Sequence, residues 1–135
     1  MGILATIRDR LLRKAVKETP ASAFRVRVDD LQISVEHPGA LAQAVLLSEL
    51  SGVAIETNET GPIGIDCWWL LFGRDDKLVV AFPQGADGDK AAVDRLVMLP
   101  GFDFEAMIAA MGSVKSDVFP VWRPGELSPP GLVIP

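Results

Sequence analysis

Residues 65–82 constrain the fold more than any other part of the chain. Two apolar runs, Cys67–Phe72 and residues 78–82, flank a short polar turn that begins at Gly73. Two such runs around a turn are typical of a β-hairpin. Neither run alternates with polar residues, which indicates strands that are covered on both faces in the middle of a sheet. The sequence therefore predicts a buried central hairpin.

Length and composition indicate one globular domain. The chain has 135 residues, of which 49% are hydrophobic, and this combination is typical of a single folded unit. No apolar run approaches the roughly 20 residues that a membrane-spanning helix needs. The N-terminus lacks the continuous apolar region and cleavage site of a signal peptide, and the single cysteine, Cys67, cannot form an internal disulfide. We therefore expect a cytoplasmic protein.

Charge is distributed unevenly along the chain. Residues 1–17 carry five basic residues against one acidic residue, a local balance of +4, whereas the whole chain carries −5. The remaining residues must then sum to −9, and their basic side chains are dispersed. A protein that binds nucleic acid usually presents a basic patch or stripe that follows the phosphates. The charge pattern therefore argues against a nucleic-acid partner.

The basic N-terminal segment has the pattern of an amphipathic helix. Residues 3–17 contain no Pro or Gly, and Pro20 ends the segment. One side of the predicted helix is an apolar arc about 100° wide, and another side is basic. The arc consists of Ile3, Leu4, Ile7 and Leu11, and the basic side consists of Arg10, Arg13 and Lys17. These seven residues are candidate interaction residues, with the chain's own domain, a second copy, a protein partner or anionic lipid as the surface they contact.

Several further strands are predicted around the hairpin. Residues 24–28 and 31–35 alternate between apolar and polar, as half-buried strands do, with Asp29 and Asp30 between them. Residues 52–57 and 118–122 are also predicted strands. Residues 40–50 are ambiguous, because their propensity favours a helix and their place between strands favours a strand that ends near Leu47.

Two helices are predicted after the hairpin, and a proline-rich tail follows. Asp87 or Asp89 can cap the first helix, which runs to about Met98, and Asp103 can cap the second. In the second helix four apolar residues at helical spacing form one face, namely Phe104, Met107, Ile108 and Met111. The predicted organisation is an N-terminal helix in residues 1–20, one α+β domain in residues 21–123 and a tail in residues 124–135.

The second half of the chain resembles a group of small uncharacterised bacterial proteins. The residues that carry the resemblance are Ile55-Glu56-Thr57, Gly61-Pro62, Asp66, Trp68-Trp69-Leu70, Pro83-Gln84-Gly85-Ala86, Leu99-Pro100-Gly101-Phe102-Asp103 with Glu105, Ala110-Met111 and Trp122. The resemblance covers residues 30–123 and implies a strongly bent, mostly antiparallel sheet with C-terminal helices, similar in element order to pleckstrin-homology-like domains. It also favours a strand over residues 41–47, and it implies no activity.

The residues that usually perform catalysis are sparse and isolated. His37 stands alone before a Pro-Gly turn, without the orienting partner that a general base needs. Cys67 lies in an apolar run, where burial makes a thiol a poor nucleophile. Asp87 and Asp89 resemble the start of a calcium loop, but position twelve is Met98 rather than Glu. Asp103 and Glu105 could form a metal-binding pair, but carboxylates at the first turn of a helix are better explained by their favourable interaction with the helix dipole. We therefore predict no cofactor, metal site or catalytic residue.

The two adjacent tryptophans must point to opposite faces if they lie on a strand. One of them belongs to the core. The other is either covered as well or partly exposed, in which case Trp68 would be an anchor for a partner. Trp68 is therefore added to the candidate interaction residues.

Three functional hypotheses follow from these patterns. The first is a non-enzymatic bacterial binding module that acts through protein contact, as an adaptor or an immunity-type protein, with an unknown partner or a second copy. The second is a membrane-peripheral module anchored by the basic helix. The third is a small carboxylate-dependent enzyme or ligand-binding domain, with its pocket between the sheet and the two late helices. The thin catalytic inventory favours the first hypothesis.

Overall fold

A computed structural model of the chain describes residues 20–58 and 67–125. The N-terminal helix predicted over residues 3–17, the loop around Gly61-Pro62 and most of the proline-rich tail lie outside these ranges. Within them the protein is a mixed α+β fold with two antiparallel sheets and two α-helices. The strands are β1 (Arg25–Val28), β2 (Gln32–Glu36), β3 (Gln43–Leu46), β4 (Gly52–Thr57), β5 (Cys67–Phe72), β6 (Leu78–Pro83) and β7 (Asp117–Trp122), and the helices are α1 (Asp89–Leu96) and α2 (Phe104–Met111).

The first sheet is an antiparallel meander in the order β1-β2-β3. Its alternation follows the sequence, because Val26, Ile33 and Val45 are buried on one face while Arg27 is exposed on the other. The Asp29 carboxylate forms the first turn by accepting hydrogen bonds from the backbone N–H groups of Leu31 (2.8 Å) and Gln32 (2.9 Å). The ambiguous segment over residues 40–50 contains β3 and a short 3₁₀ turn, so the preference for a strand there is confirmed.

The second sheet contains the predicted hairpin at its centre, in the strand order β6-β5-β4-β7. Strand β5 pairs with β4 on one side and with β6 on the other, and all six of its residues are buried. The turn between β5 and β6 is tight, because Asp75 and Asp76 both have positive φ. The prediction of a hairpin covered on both faces is therefore confirmed.

The strands divide into two sheets, whereas the sequence predicts one strongly bent sheet. The edges of β3 and β6 meet through a side chain, since Gln43 Oε1 accepts a hydrogen bond from the backbone N–H of Ala81 at 3.1 Å. At the other side of the first sheet, the Val26 N–H donates to the Asp87 carbonyl at 2.7 Å. The first contact joins the two sheets, and the second joins β1 to the loop that precedes α1; the buried residues of both sheets form one core.

The core is centred on the aromatic residues of the hairpin. Trp68 lies edge-on against Phe24 with ring centroids 5.5 Å apart. Trp69 lies on the opposite face of β5 and stacks with Phe82 at 6.4 Å. Both tryptophans are 1% exposed. Of the two alternatives for this pair, the one with both tryptophans covered is therefore confirmed, and Trp68 is not a partly exposed anchor, because Phe24, the residue just before β1, packs against it.

Helix α1 begins without the predicted carboxylate cap. Its N-cap is Gly88, which has a φ of +87° and no side-chain cap. A β-carbon at this position would collide with the carbonyl oxygen of Val26, so the close approach of α1 to β1 requires glycine. The Asp89 carboxylate instead accepts a hydrogen bond from the Gly85 N–H at 2.8 Å. Neither Asp87 nor Asp89 therefore caps the helix as predicted.

Candidate interaction surface

Helix α2 is fixed in place at its N-terminus. The Asp103 side chain caps the helix as predicted, because Oδ1 accepts a hydrogen bond from the Ala106 N–H at 2.9 Å. The backbone N–H of the same residue donates to the Val121 carbonyl of β7 at 2.7 Å. The preceding residue, Phe102, is 8% exposed and packs its ring 5.0 Å from that of Phe104. The start of α2 is thus anchored to the second sheet by both hydrogen bonds and packing.

The buried side of α2 consists of two alanines and one methionine. Ala110 is 1% exposed, and Ala106 and Met107 are partly buried against the core. At 100° per residue these three residues lie together on one side of the helix. Alanine has the smallest side chain able to form a good helix, so the α2 backbone can lie close to the sheet.

The larger apolar residues of α2 lie on a flank of the helix that is open to solvent. Phe104 is 50% exposed, Ile108 67% and Met111 44%. Their spacing of four and three residues aligns them along one line of the helix surface, at about 120° from the buried side. We call these three residues the α2 stripe. The sequence predicts one apolar face that also includes Met107, but Met107 belongs to the buried side, and the structure leaves the other three residues largely uncovered.

In the sequence, exposed apolar residues stand on both sides of α2, and acidic residues stand at its start. Met98 before the helix is 76% exposed and Val114 after it is 82% exposed. Asp103 and Glu105 bring two carboxylates to the first turn, and α2 contains no basic residue. The only groups at the border able to act as a base or nucleophile are these two carboxylates, and that of Asp103 is already engaged as the helix cap. The stripe with its acidic border has the character of a contact surface for another apolar element with basic neighbours.

The residues considered for catalysis are dispersed. The His37 ring packs against Phe24, with centroids 4.5 Å apart, in a turn that is half-buried. Cys67 is 7% exposed and belongs to the core. No three His, Cys, Asp or Glu residues are grouped as metal ligands within residues 20–58 and 67–125.

Two open clefts and one small cavity lie away from α2. A cleft of about 350 Å³ lies between β3 and the β5–β6 turn, and its lining includes Glu49 and Arg74, which form an ion pair at 2.7 Å. A second open cleft of about 420 Å³ lies beside Arg25, Glu36 and His37. The cavity between β4 and β7 holds only about 60 Å³, far below the roughly 300 Å³ or more of typical ligand sites. Lys77 and Asp75 also line the first cleft, so it mixes both charges rather than gathering carboxylates.

Only one of the eight predicted interaction residues lies within the described part of the chain. Trp68 belongs to the core, as described above. The other seven lie outside the described residues, namely Ile3, Leu4, Ile7, Arg10, Leu11, Arg13 and Lys17. The exposure of the α2 stripe is not predicted by the sequence. The one signal for it is the excess of apolar residues in α2, where only Glu105 is charged, so a single packed side cannot bury all of them.

No protein-family model, curated protein or solved structure matches the chain. Helices α1 and α2 have eight residues each, and no helix of the described ranges is long and apolar enough to cross a membrane.

Proposed function

We propose that the protein is a non-enzymatic binding module of the cytoplasm, an adaptor or immunity-type protein, that binds a partner through the α2 stripe. The observation that carries the proposal is the exposure of Phe104, Ile108 and Met111, at 44–67%, on one line of a rigidly anchored helix. Exposed apolar patches on a folded domain mark sites of protein contact. The stripe is preorganised by the Asp103 cap, so little conformational entropy is lost when a partner binds.

The apolar area of the α2 stripe determines how much of the binding free energy it can supply. Fully burying a large apolar side chain contributes about 1.5–3 kcal/mol, and the three side chains are already about half covered. A partner therefore gains roughly 3 kcal/mol from the stripe itself. Micromolar affinity corresponds to about 8 kcal/mol, so contacts outside the stripe, including the acidic border, must contribute the rest.

The acidic border defines the chemistry of the partner. Asp103 and Glu105 lie at the first turn of α2, where the stripe begins with Phe104. A matching partner presents an apolar ridge with Lys or Arg near the end that meets this turn. The same carboxylates disfavour contact of the stripe with anionic lipid.

The resemblance to small bacterial proteins is part of this proposal. Two antiparallel sheets that share one core support a likeness to pleckstrin-homology-like domains, but β7 follows both helices and pairs with β4, so the element order departs from one of strands followed by C-terminal helices. The membrane-peripheral hypothesis rests on residues 3–17, and a liposome flotation assay tests it. The carboxylate-dependent hypothesis needs a pocket with converging carboxylates, and no cavity described above provides one.

A site-specific photocrosslinking experiment tests the proposal. The photoreactive residue p-benzoylphenylalanine is placed at position 108 in one variant and at position 109 in a control. Ala109 is exposed on the same helix but lies outside the stripe. After irradiation of cells, the position 108 variant should form an adduct with a second protein, and Met111→Glu introduced into that variant should abolish it. A position 108 variant that forms no heterologous adduct, or equal labelling from both positions, contradicts the proposal.

A further inference from the structure

We propose that the outer edge of β3 binds an extended segment of a partner protein as an additional antiparallel strand. Strands β3 and β6 stand edge to edge, but within residues 20–58 and 67–125 no backbone hydrogen bond joins them. The Gln43 side chain crosses this seam to the backbone N–H of Ala81. The cleft of about 350 Å³ lies beyond that contact, since its lining includes Ala44, Leu46 and Val79 but neither residue of the contact.

The hydrogen bonds of the first sheet determine which backbone groups face this cleft. The Leu47 N–H donates to the Leu31 carbonyl at 2.8 Å, and Leu46 is paired with Gln32 in the same register. Backbone groups alternate in direction along an antiparallel strand, so the N–H and C=O of Ala44 and Leu46 point away from β2. No hydrogen bond within the described part of the chain uses these four groups. Two residues apart, they match the donors and acceptors of an added strand.

The edge of β3 lacks the protection that other strand edges of the fold possess. At the edge of β1, the Val26 N–H and the Phe24 carbonyl both bond to the backbone of Asp87. At the edge of the second sheet, β7 contains Pro120, which cannot donate to a neighbouring strand. Strand β3 contains no proline and no charged residue, and these are the usual means of blocking an exposed edge. It is therefore open to strand addition.

The side chains around the edge define the segment that fits. Residues opposite each other in an antiparallel pair have their side chains on the same face. On the inner face Val45 is 5% exposed and Val79 is partly buried, so the added strand needs apolar side chains there. On the outer face Ala44 and Leu46 are exposed, and polar side chains fit beside them. The charged residues that line the cleft include both signs, so the segment alternates apolar and polar residues and is neutral overall.

A synthetic peptide tests the proposal on the full-length chain. The probe is Lys-Val-Thr-Val-Thr-Val-Glu with both termini capped, whose β-branched residues favour an extended backbone. The control peptide is identical except for N-methyl groups on both threonines, whose N–H groups would face β3 because the threonines lie opposite Ala44 and Leu46. In two-dimensional NMR spectra of the ¹⁵N-labelled protein, the unmodified peptide should shift the amide proton signals of Ala44 and Leu46 downfield to saturation. The N-methylated peptide should leave both signals in place.

A proline substitution provides the matched test on the protein side. Leu46 has a φ of −73°, close to the value of about −65° that proline requires, and its N–H does not point toward β2. Leu46→Pro should therefore keep the fold while it removes one donor from the edge. The peptide's dissociation constant, followed at the Ala44 amide, should rise about tenfold. Leu46→Ala keeps the N–H and should bind the peptide as the native chain does.

Several outcomes overturn strand addition at β3. They are the absence of shifts at Ala44 and Leu46 at millimolar peptide, equal binding of the N-methylated peptide, and unchanged affinity in a folded Leu46→Pro variant. Shifts of the same amides with protein concentration alone assign the edge to a second copy and also overturn the proposal. The two peptides need no substitution in the protein, so the test stands even if Leu46→Pro does not fold. The α2 stripe lies beside β7, at the other edge of the second sheet, so this site and the proposed function fail separately.

Discussion

The central hairpin and helix α2 are both built largely from apolar residues, but only the hairpin is sealed from solvent. All six residues of β5 are buried. Among the eight residues of α2 only Ala110 is buried, and the large side chains of Phe104, Ile108 and Met111 remain exposed. The difference follows from the number of covered sides. A central strand has a neighbour on each edge and a layer on each face, whereas a surface helix packs with one side only.

This difference assigns separate roles to the same type of side chain. Where large apolar residues are enclosed, as at Trp68 and Trp69, they stabilise the fold. Where they are left on a flank, as in the α2 stripe, they add little to the stability of the domain and are available to a partner. Substitutions in the two regions should therefore have different consequences for stability.

The largest expected effect is in the hairpin. Trp69→Ala removes a fully buried ring that stacks with Phe82, and such truncations cost about 3–5 kcal/mol. Trp68→Ala should behave similarly, because Phe24 loses its aromatic partner. The matched substitution in the stripe, Ile108→Ala, should change the free energy of unfolding by at most about 1 kcal/mol. Urea denaturation followed by circular dichroism measures all three variants.

One ranking of these variants by stability would contradict the contrast between the hairpin and the α2 stripe. If the tryptophan variants unfold at the same urea concentration as Ile108→Ala, the hairpin is not the centre of stability. The slope of the unfolding transition serves as a control, since a change in slope indicates an altered denatured state rather than a lost contact.

The hairpin could be predicted from sequence because its signal is local. Cys67–Phe72 has no polar residue, and this pattern alone indicates a strand that is covered on both faces. The Asp103 cap is local as well, since its carboxylate accepts a hydrogen bond from the backbone N–H of Ala106, only three residues later. The contact between the two sheets depends instead on Gln43 and Ala81, which are 38 residues apart in sequence. No local pattern indicates that a glutamine side chain will join two strand edges.

The orientation of α2 could not be predicted for a related reason. Helical periodicity places Phe104, Ile108 and Met111 on one line, and large apolar residues are usually expected to face the core. The structure buries Ala110 instead, because a small side chain permits close approach to the sheet. Since α2 is apolar on almost every side, its amphipathic pattern does not determine which side packs.

A substitution on the packed side of α2 should destabilise the fold less than the loss of a hairpin tryptophan. Ala110→Leu adds three carbon atoms at a position that is 1% exposed, and overpacking of this kind costs about 1–3 kcal/mol. Ala109→Leu adds the same atoms to the exposed side of the same helix and should change stability by no more than about 0.5 kcal/mol. Thermal unfolding of the two variants measures the difference. Equal destabilisation would indicate that α2 packs with a different side from the one described.

The smallest expected effect concerns a turn that is exposed like the α2 stripe but ordered by hydrogen bonds. The backbone N–H groups of Leu31 and Gln32 donate to the Asp29 carboxylate and hold the pKa of Asp29 below its usual value. Because the pKa is lower in the folded state, the charged carboxylate stabilises the fold at pH values above the unfolded pKa, about 3.9. This stabilisation is lost as the pH falls through the folded pKa.

Asp29→Asn isolates this contribution, because the amide oxygen still accepts hydrogen bonds but does not titrate. The thermal midpoint of the native chain should fall slightly more than that of Asp29→Asn as the pH is lowered from 6 to 2. The effect is small since Asp29 is fully exposed to solvent. An NMR titration of the Asp29 carboxyl group gives the pKa directly. A measured pKa at or above about 3.9 would show that the charge of Asp29 does not stabilise this turn.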